Sequence, residues 1–119
     1  MNSFINLDYS SRIPIYQQIL NEIERYVALE ILKSGEQIPS IRELAGTLGI
    51  NPNTVKKSYD ILENNKIIRT MSTKGTFICD NTSDVKKRKI ESGISNIKKQ
   101  IEELTKLGIN YDEVIERLK

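Results

Sequence analysis

Polar and basic side chains are concentrated in a seven-residue stretch, residues 51–57, which reads NPNTVKK. An Asn amide can make paired hydrogen bonds with adenine in the major groove of DNA, so Asn53 is a candidate for reading a base. Lys56 can reach guanine or a phosphate, and Lys57 lies beside it. The Thr54 hydroxyl can donate a hydrogen bond to a phosphate near a helix N-terminus. This cluster therefore predicts non-covalent contact with nucleic acid.

Covalent and metal chemistry have little support in the composition. The chain has no His and a single Cys, which excludes Ser-His-Asp and Cys-His catalytic sets and a Cys/His zinc site. Its carboxylates are scattered along the sequence, and no pair of them lies near a candidate general base or a cluster of metal ligands. We expect no enzyme activity, cofactor or metal. Cys79, at the end of an apolar segment, is expected to be a small core residue rather than a redox sensor.

The charge of the chain is local rather than global. The formal net charge over 119 residues is only +2, so the protein is not a basic coat for nucleic acid. Residues 51–78, however, hold five Lys and Arg residues against two Asp and Glu residues, a local net charge of +3. Any affinity for DNA must therefore come from a local patch, and this excess of positive charge is correctly placed for one.

Two short helices must position the cluster. Ser40 is followed three residues later by Glu43, the capping-box pattern of a helix start, and the Ser40 hydroxyl could also donate to a phosphate. Apolar residues then recur at helical spacing until Gly49, a residue type that commonly ends helices. Asn51 is expected to cap a second helix rather than to read a base, and Pro52 suits its first position. Two short helices joined by a tight turn predict a helix-turn-helix. The apolar face of the second helix holds Val55, Tyr59 and Leu62, all expected in the core.

A β-hairpin is predicted directly after these helices. Residues 67–71 and 76–79 are rich in strand formers, and residues 72–75 have the composition of a turn. A hairpin that follows a recognition helix is a wing. Its tip carries Lys74 and Gly75, which suit contact with a phosphate or a minor groove.

The combined pattern resembles a known family. GEQIPSIRELAGTLGINPNTVKKSYDILENNKII, followed by KGTFI, is similar to the winged-helix domain of GntR-type bacterial transcription regulators. The runs PIYQQI, PSIRELA and NPNTV resemble its YtrA-like branch, in which a short two-helix tail replaces the large effector domain. Lys66 stands where a Gly usually ends the recognition helix, and Thr73 replaces the first Gly of the usual wing. The residues that the resemblance implies in DNA contact are Arg42, Asn53, Thr54, Lys56, Thr73, Lys74 and Gly75.

The fold class that follows is mainly α with a small β-hairpin. We expect an N-terminal winged helix-turn-helix over residues 1–79 and a C-terminal two-helix dimerisation tail over residues 80–119. Before the helix-turn-helix, residues 4–7 can pack as a short extended arm. A supporting helix is predicted from Pro14 to near Leu32, on an amphipathic stripe. The stripe consists of Ile15, Ile19, Ile23, Tyr26, Val27 and Ile31.

The tail carries a narrow apolar seam at steps of four, three, four and three residues, typical of a coiled-coil interface. Its partner could be the DNA-binding domain of the same chain or the same helix of a second chain. We expect the second, because the seam is regular and the resemblance implies a dimer. Gly108 and Asn110 predict the turn to a short final helix. The seam consists of Ile90, Ile94, Ile97, Ile101 and Leu104.

The resulting functional prediction is a sequence-specific DNA-binding transcription regulator, expected to repress, that binds a palindromic double-stranded operator as a homodimer. The alternative is a winged-helix module that binds proteins. Residues 86–89, which read KKRK, are either a DNA-contacting patch or a solvated helix start. The N-terminal residues do not form a signal peptide, and no apolar run approaches membrane-spanning length, so a cytoplasmic protein without membrane contact is expected. The operator, the target genes and any small-molecule effector stay open.

Overall fold

In the computed structural model of the chain, residues 4–80 and 82–119 are described. The predicted fold class, mainly helical with a small antiparallel sheet, is confirmed. The chain divides into two compact units, the first ending at Lys86 and the second beginning at Lys87. The elements of the described residues are α1 (Ile15–Ala28), β1 (Gln37–Ile38), α2 (Ile41–Leu48), α3 (Pro52–Asn64), β2 (Ile68–Met71), β3 (Gly75–Ile78), α4 (Val85–Thr105) and α5 (Tyr111–Leu118).

Helix α1 is shorter than its apolar pattern predicts. The predicted end near Leu32 is wrong, because the helix ends at Ala28. Glu30 takes a left-handed conformation with φ of 59°, and the Ile31 and Leu32 amides both donate to the Tyr26 carbonyl. This closure satisfies carbonyls at the helix end and turns the chain so that Leu32 becomes buried. Ile31, predicted on the apolar stripe, is exposed as a result.

The predicted caps of α2 and α3 are confirmed. The Ser40 Oγ accepts from the Glu43 amide at 3.1 Å, and the Ser40 amide donates to Glu43 Oε1 at 3.2 Å. Gly49 closes α2 in the left-handed region with φ of 68°. Asn51 Oδ1 then accepts from the Asn53 amide at 2.8 Å, and Pro52 occupies the first position of α3. The tight turn between the helices is therefore fixed by contacts within a few residues.

The wing belongs to a sheet of three strands rather than two. Strands β2 and β3 pair antiparallel as predicted, with Met71 opposite Gly75 at the turn. Strand β1, which no sequence pattern predicted, adds to the other edge of β3, so the order is β1-β3-β2. Gln37 pairs with Phe77 across this boundary. The residues before α2 are thereby joined to the wing.

The first unit has a continuous hydrophobic core. Buried side chains of α1, α2, α3 and the sheet share one cluster, and Ile5 of the N-terminal arm is completely buried in it. Phe4 and Leu7 are partly buried against the same cluster, as predicted for the arm. The Gln18 side chain holds the chain between arm and helix: its Oε1 accepts from the Asp8 amide, and its Nε2 donates to the Asp8 and Ile13 carbonyls.

The second unit consists of most of α4, a turn and α5. Helix α4 ends at Thr105, and Gly108, with φ of 99°, lies in the following turn. Asn110 Oδ1 accepts from the Glu113 amide at 2.8 Å, which confirms the predicted cap of α5. Among the described apolar residues of this unit, Val114 is the one in the buried class.

Candidate nucleic-acid interface

Helix α3 is held along one face and exposed along the other. Its buried side chains are contributed by Val55, Ser58, Tyr59 and Leu62. The Ser58 Oγ donates to the Tyr16 carbonyl of α1 at 2.7 Å, so the helix is fixed by a directional bond as well as by apolar packing. Asn53, Lys56 and Lys57 are exposed, and Thr54 is half-buried. The polar first turns of α3 are thus presented to solvent by a rigid scaffold.

Tyr59 lies in the core, as predicted. The residue is almost completely buried, and its hydroxyl donates to the Pro39 carbonyl at 2.6 Å. Burial, together with the nearby Glu43 carboxylate, raises the pKa of the Tyr59 hydroxyl well above its usual range. The hydroxyl therefore stays protonated and ties α3 to the residue that precedes Ser40. Tyr59 is a scaffold residue rather than a contact to DNA.

The two lysines of the cluster have different surroundings. Lys56 Nζ lies 2.7 Å from Asp60 Oδ2, one helical turn further on, and both side chains are more than half exposed. Such an exposed pair is worth little, so Lys56 can exchange this carboxylate for a phosphate at small cost. Lys57 Nζ lies 3.9 Å from the centre of the Tyr16 ring. This cation–π contact orients Lys57 without neutralising it.

The start of α2 carries two more of the residues that are predicted to contact DNA. Ser40 is half-buried, and its hydroxyl oxygen accepts within the capping box, which leaves the hydroxyl hydrogen available to a phosphate. Arg42 lies in the first turn of α2 and is exposed. Both residues are therefore close to the positive end of a helix dipole, where an anion is favoured.

Three hydrogen bonds hold the wing, two at its turn and one at β2. The Lys74 amide donates to the Met71 carbonyl at 2.8 Å within the turn. Glu63 at the end of α3 accepts from the Thr70 amide of β2 at 3.1 Å, and the side-chain amide of Gln37 donates to the Lys74 carbonyl at 3.3 Å. Thr73 and the Lys74 side chain are exposed. The wing is thereby connected both to α3 and to β1.

All nine residues predicted to meet DNA lie in the first unit, at three places. These are the start of α2, the first turns of α3 and the wing turn. No sequence pattern indicated the residues that fix these places relative to one another. Ser58 gave no signal, because a Ser within a helix is ordinarily exposed. Gln37 and Glu63 form hydrogen bonds with residues of the wing, and the spacing of apolar residues along the sequence does not indicate such contacts.

Cys79 differs from the prediction. It is half-buried after the end of β3 and does not belong to the hydrophobic core. Its amide continues the ladder by donating to the Ile67 carbonyl at 2.9 Å. Partial burial raises the pKa of the Cys79 thiol, with Arg69 opposing this effect. The apolar run stops at Ile78, one residue earlier than the sequence predicts.

Comparison with known proteins identifies this arrangement. A family model described as "Bacterial regulatory proteins, gntR family" matches residues 15–78, which contain α1, the helix-turn-helix and the wing. The chain belongs to the GntR family. The HTH-type transcriptional repressor YtrA of Bacillus subtilis is 39% identical over 100 residues, which cover 84% of this chain and 75% of YtrA. These matches confirm the predicted family, its YtrA-like branch and a DNA-binding transcription regulator rather than an enzyme.

Solved structures extend the similarity to nearly the whole chain. A transcriptional regulator from Oenococcus oeni has a TM-score of 0.75 and 36% identity, and the match covers 97% of this chain and 96% of the other. YtrA from Sulfolobus acidocaldarius, a GntR-family transcription factor, has a TM-score of 0.65 and 34% identity over 80% of this chain and 97% of its own. The match to the Oenococcus oeni regulator therefore extends beyond the winged helix into the C-terminal helices.

The predicted seam of α4 is a second candidate surface. Ile90, Ile94, Ile97 and Leu104 are each between 44% and 55% exposed, and Ile101 is half-buried. Residues 86–89 are exposed in the first turn of the same helix. None of the helices in the described part of the chain combines the length and apolar character needed to cross a membrane.

Proposed function

We propose that this GntR-family chain is a sequence-specific repressor that binds a palindromic operator as a homodimer. The observation that carries the proposal is the division of α3 into a buried face, fixed to α1 and to Pro39, and an exposed polar start. A base-reading helix needs this combination, because its side chains must enter the groove without losing their orientation. Repression is proposed because the relative YtrA of Bacillus subtilis is named a repressor.

The proposed contacts divide into base readout and phosphate positioning. Asn53, exposed in the first turn of α3, is assigned to the edge of an adenine. Lys56 reaches guanine or a phosphate after leaving Asp60. Contacts to the backbone are assigned to Ser40, Arg42, Thr54, Lys57, Thr73, Lys74 and Gly75.

The proposed dimer interface is the seam of Ile90, Ile94, Ile97, Ile101 and Leu104. Four of these side chains are about half exposed in the single chain. Burying a large aliphatic side chain contributes about 1.5–3 kcal/mol, so covering the seam with a second copy is strongly favourable. Two recognition helices related by a two-fold axis would read an inverted repeat, with half-sites about 34–36 Å apart or a multiple of that distance.

The test is selection from random duplex DNA, combined with light scattering of the protein alone and with the selected site. We expect an inverted repeat and two chains per duplex. The control is the Asn53→Ala variant, which should lose the preference for the selected site while keeping its mass and its helical circular dichroism. A single asymmetric site, or a monomer at micromolar concentration, would contradict the palindromic dimer.

The exposed seam also favours a second candidate, a winged-helix module that binds a helix of another protein. That function predicts no enrichment of any duplex in the selection. No small-molecule effector is assigned. We place the regulator in the cytoplasm, where a bacterial chromosome is accessible.

A further inference from the structure

Gln37 connects the strand before the helix-turn-helix to the tip of the wing. Its backbone pairs with Phe77 of β3, yet its side-chain Nε2 donates to the carbonyl of Lys74, in the wing turn. Within the hairpin, that turn is closed by the Lys74 amide bonded to the Met71 carbonyl. The hydrogen bond from Gln37 therefore fixes the peptide group between Lys74 and Gly75, and it comes from a residue outside the hairpin.

Gly75 makes this contact possible. Its φ is 122°, a conformation that side chains rarely adopt, and a Cβ at this position would collide with Gln37 Nε2. The amide of Gln37 thus lies directly against the Gly75 backbone, in space that any other residue would fill. One short segment therefore combines a turn conformation that suits glycine, a missing side chain and a side-chain hydrogen bond.

We propose that Gln37 is a positioning residue that holds the wing turn in the orientation from which Lys74 meets DNA. The inference rests on the proposed contact between the wing and DNA, and Gln37 itself is not assigned a contact. Fixing the peptide on one side of the Lys74 Cα limits the directions in which the Lys74 side chain can leave the turn. A turn ordered before binding loses less conformational entropy when it meets a phosphate.

The first test uses the free protein, so that it does not depend on DNA. In Gln37→Met the side chain keeps nearly its length but has no N–H to donate. We expect the ¹⁵N order parameters of the Lys74 and Gly75 amides to fall, while those of α3 stay unchanged. Unchanged order parameters in the wing turn would overturn the positioning role.

The second test is a pair of double-mutant cycles on operator affinity. Gln37→Met alone should weaken binding about two- to tenfold, the range of one net hydrogen bond. Combined with Lys74→Ala, the two losses should be less than additive, because both act through the same side chain. Combined with Asn53→Ala, the matched control on α3, the losses should be additive. Full additivity with Lys74→Ala would overturn the proposal.

The outcomes separate this inference from the proposed function. If Gln37→Met loosens the wing turn but Lys74→Ala leaves operator affinity unchanged, the positioning role of Gln37 is supported and the contact between the wing and DNA is overturned. If the order parameters of the wing turn are normal in Gln37→Met and Lys74→Ala loses operator affinity, the contact between the wing and DNA is supported and the positioning role of Gln37 is overturned. A loss of affinity in Gln37→Met that persists in full without Lys74 would show that Gln37 meets DNA directly, against the proposal.

Discussion

The two units of the chain use their apolar residues differently. In the first unit, aliphatic side chains from the arm, the helices and the sheet form one buried core, although Leu29 and Ile31 just after α1 are exposed. The polar side chains of Ser58 and Tyr59 find hydrogen-bond partners inside this unit. In the second unit, Val114 is buried, whereas Ile90 and Ile97 are about half exposed and Leu107 is largely exposed. The first unit therefore completes its core within one chain, and the second retains an apolar surface that another surface can cover.

The spacing of the apolar residues explains this difference. Helix α1 carries a broad stripe, with the neighbouring residues Ile19 and Leu20 both buried, which suits a helix packed into a globular core. Helix α4 carries a narrow seam at heptad steps, which suits packing against one partner helix. Substitutions in each surface separately test whether the first unit's apolar residues serve folding and those of α4 serve assembly.

The largest effect is expected from a charge in the seam. Ile97→Asp places two carboxylates in the proposed dimer interface and removes two buried aliphatic side chains, each worth about 1.5–3 kcal/mol. The dimer dissociation constant should rise by at least about 100-fold. Analytical ultracentrifugation measures this change. Ser95→Asp, which adds the same charge to an exposed position of α4, should leave assembly unaffected. Equal effects of both substitutions would show that the seam is not the interface.

A cavity in the first unit should act on folding instead of assembly. Leu62 is completely buried, so Leu62→Ala is expected to lower the free energy of unfolding by about 2–5 kcal/mol. Urea denaturation followed by circular dichroism gives this value. The control Leu29→Ala, at an exposed leucine after α1, should change stability by less than about 0.5 kcal/mol. A small effect at Leu62 would mean that the first unit does not depend on its own core.

The exposed start of α3 should affect recognition without affecting either core. Asn53→Ala is expected to cost about 1–3 kcal/mol on the selected operator and little on unrelated DNA, if its amide makes paired hydrogen bonds to a base. Fluorescence anisotropy with both duplexes measures the difference. Equal losses on the two duplexes would assign Asn53 to a phosphate or to the scaffold.

The wing should contribute to DNA affinity through its charge, and this contribution should not depend on the base sequence. Lys74→Ala is expected to weaken binding to all duplexes and to flatten the slope of log affinity against log salt concentration by about one unit. The measurement is a salt titration, with Lys106→Ala in the turn after α4 as the matched control. An unchanged salt slope in Lys74→Ala would place the wing away from the phosphates.

The smallest effect concerns helix ends. The first unit ends α1 and α3 with non-glycine residues in the left-handed region, Glu30 and Lys66, whereas the second has Gly108 after α4. Lys66→Gly is expected to stabilise the fold by about 0.5–1 kcal/mol, because the left-handed strain exceeds the added entropy of the unfolded chain. Thermal unfolding shows whether Lys66→Gly raises or lowers the stability of the fold. Gly108→Ala should have the opposite effect, and destabilisation by Lys66→Gly would show that the Lys66 side chain has another role.

The sequence by itself determined the local parts of this protein. The capping box of Ser40 and Glu43, the left-handed Gly49, and the caps at Asn51 and Asn110 all join residues at most four positions apart. Their geometry is encoded in a few neighbouring residues, so composition and spacing predicted them correctly. The same holds for the helical periods, which identified most of the core and the exposed seam.

Tertiary structure decided what joins these parts. Strand β1 exists because Gln37 and Ile38 meet β3 about forty residues later, and two residues are too short to carry a strand pattern of their own. Helix α1 ends without a Gly or Pro, at a left-handed Glu30 that turns the chain so that Leu32 enters the core. The bonds from Ser58 to Tyr16 and from Gln37 to Lys74 likewise depend on distant segments that only the folded chain brings together.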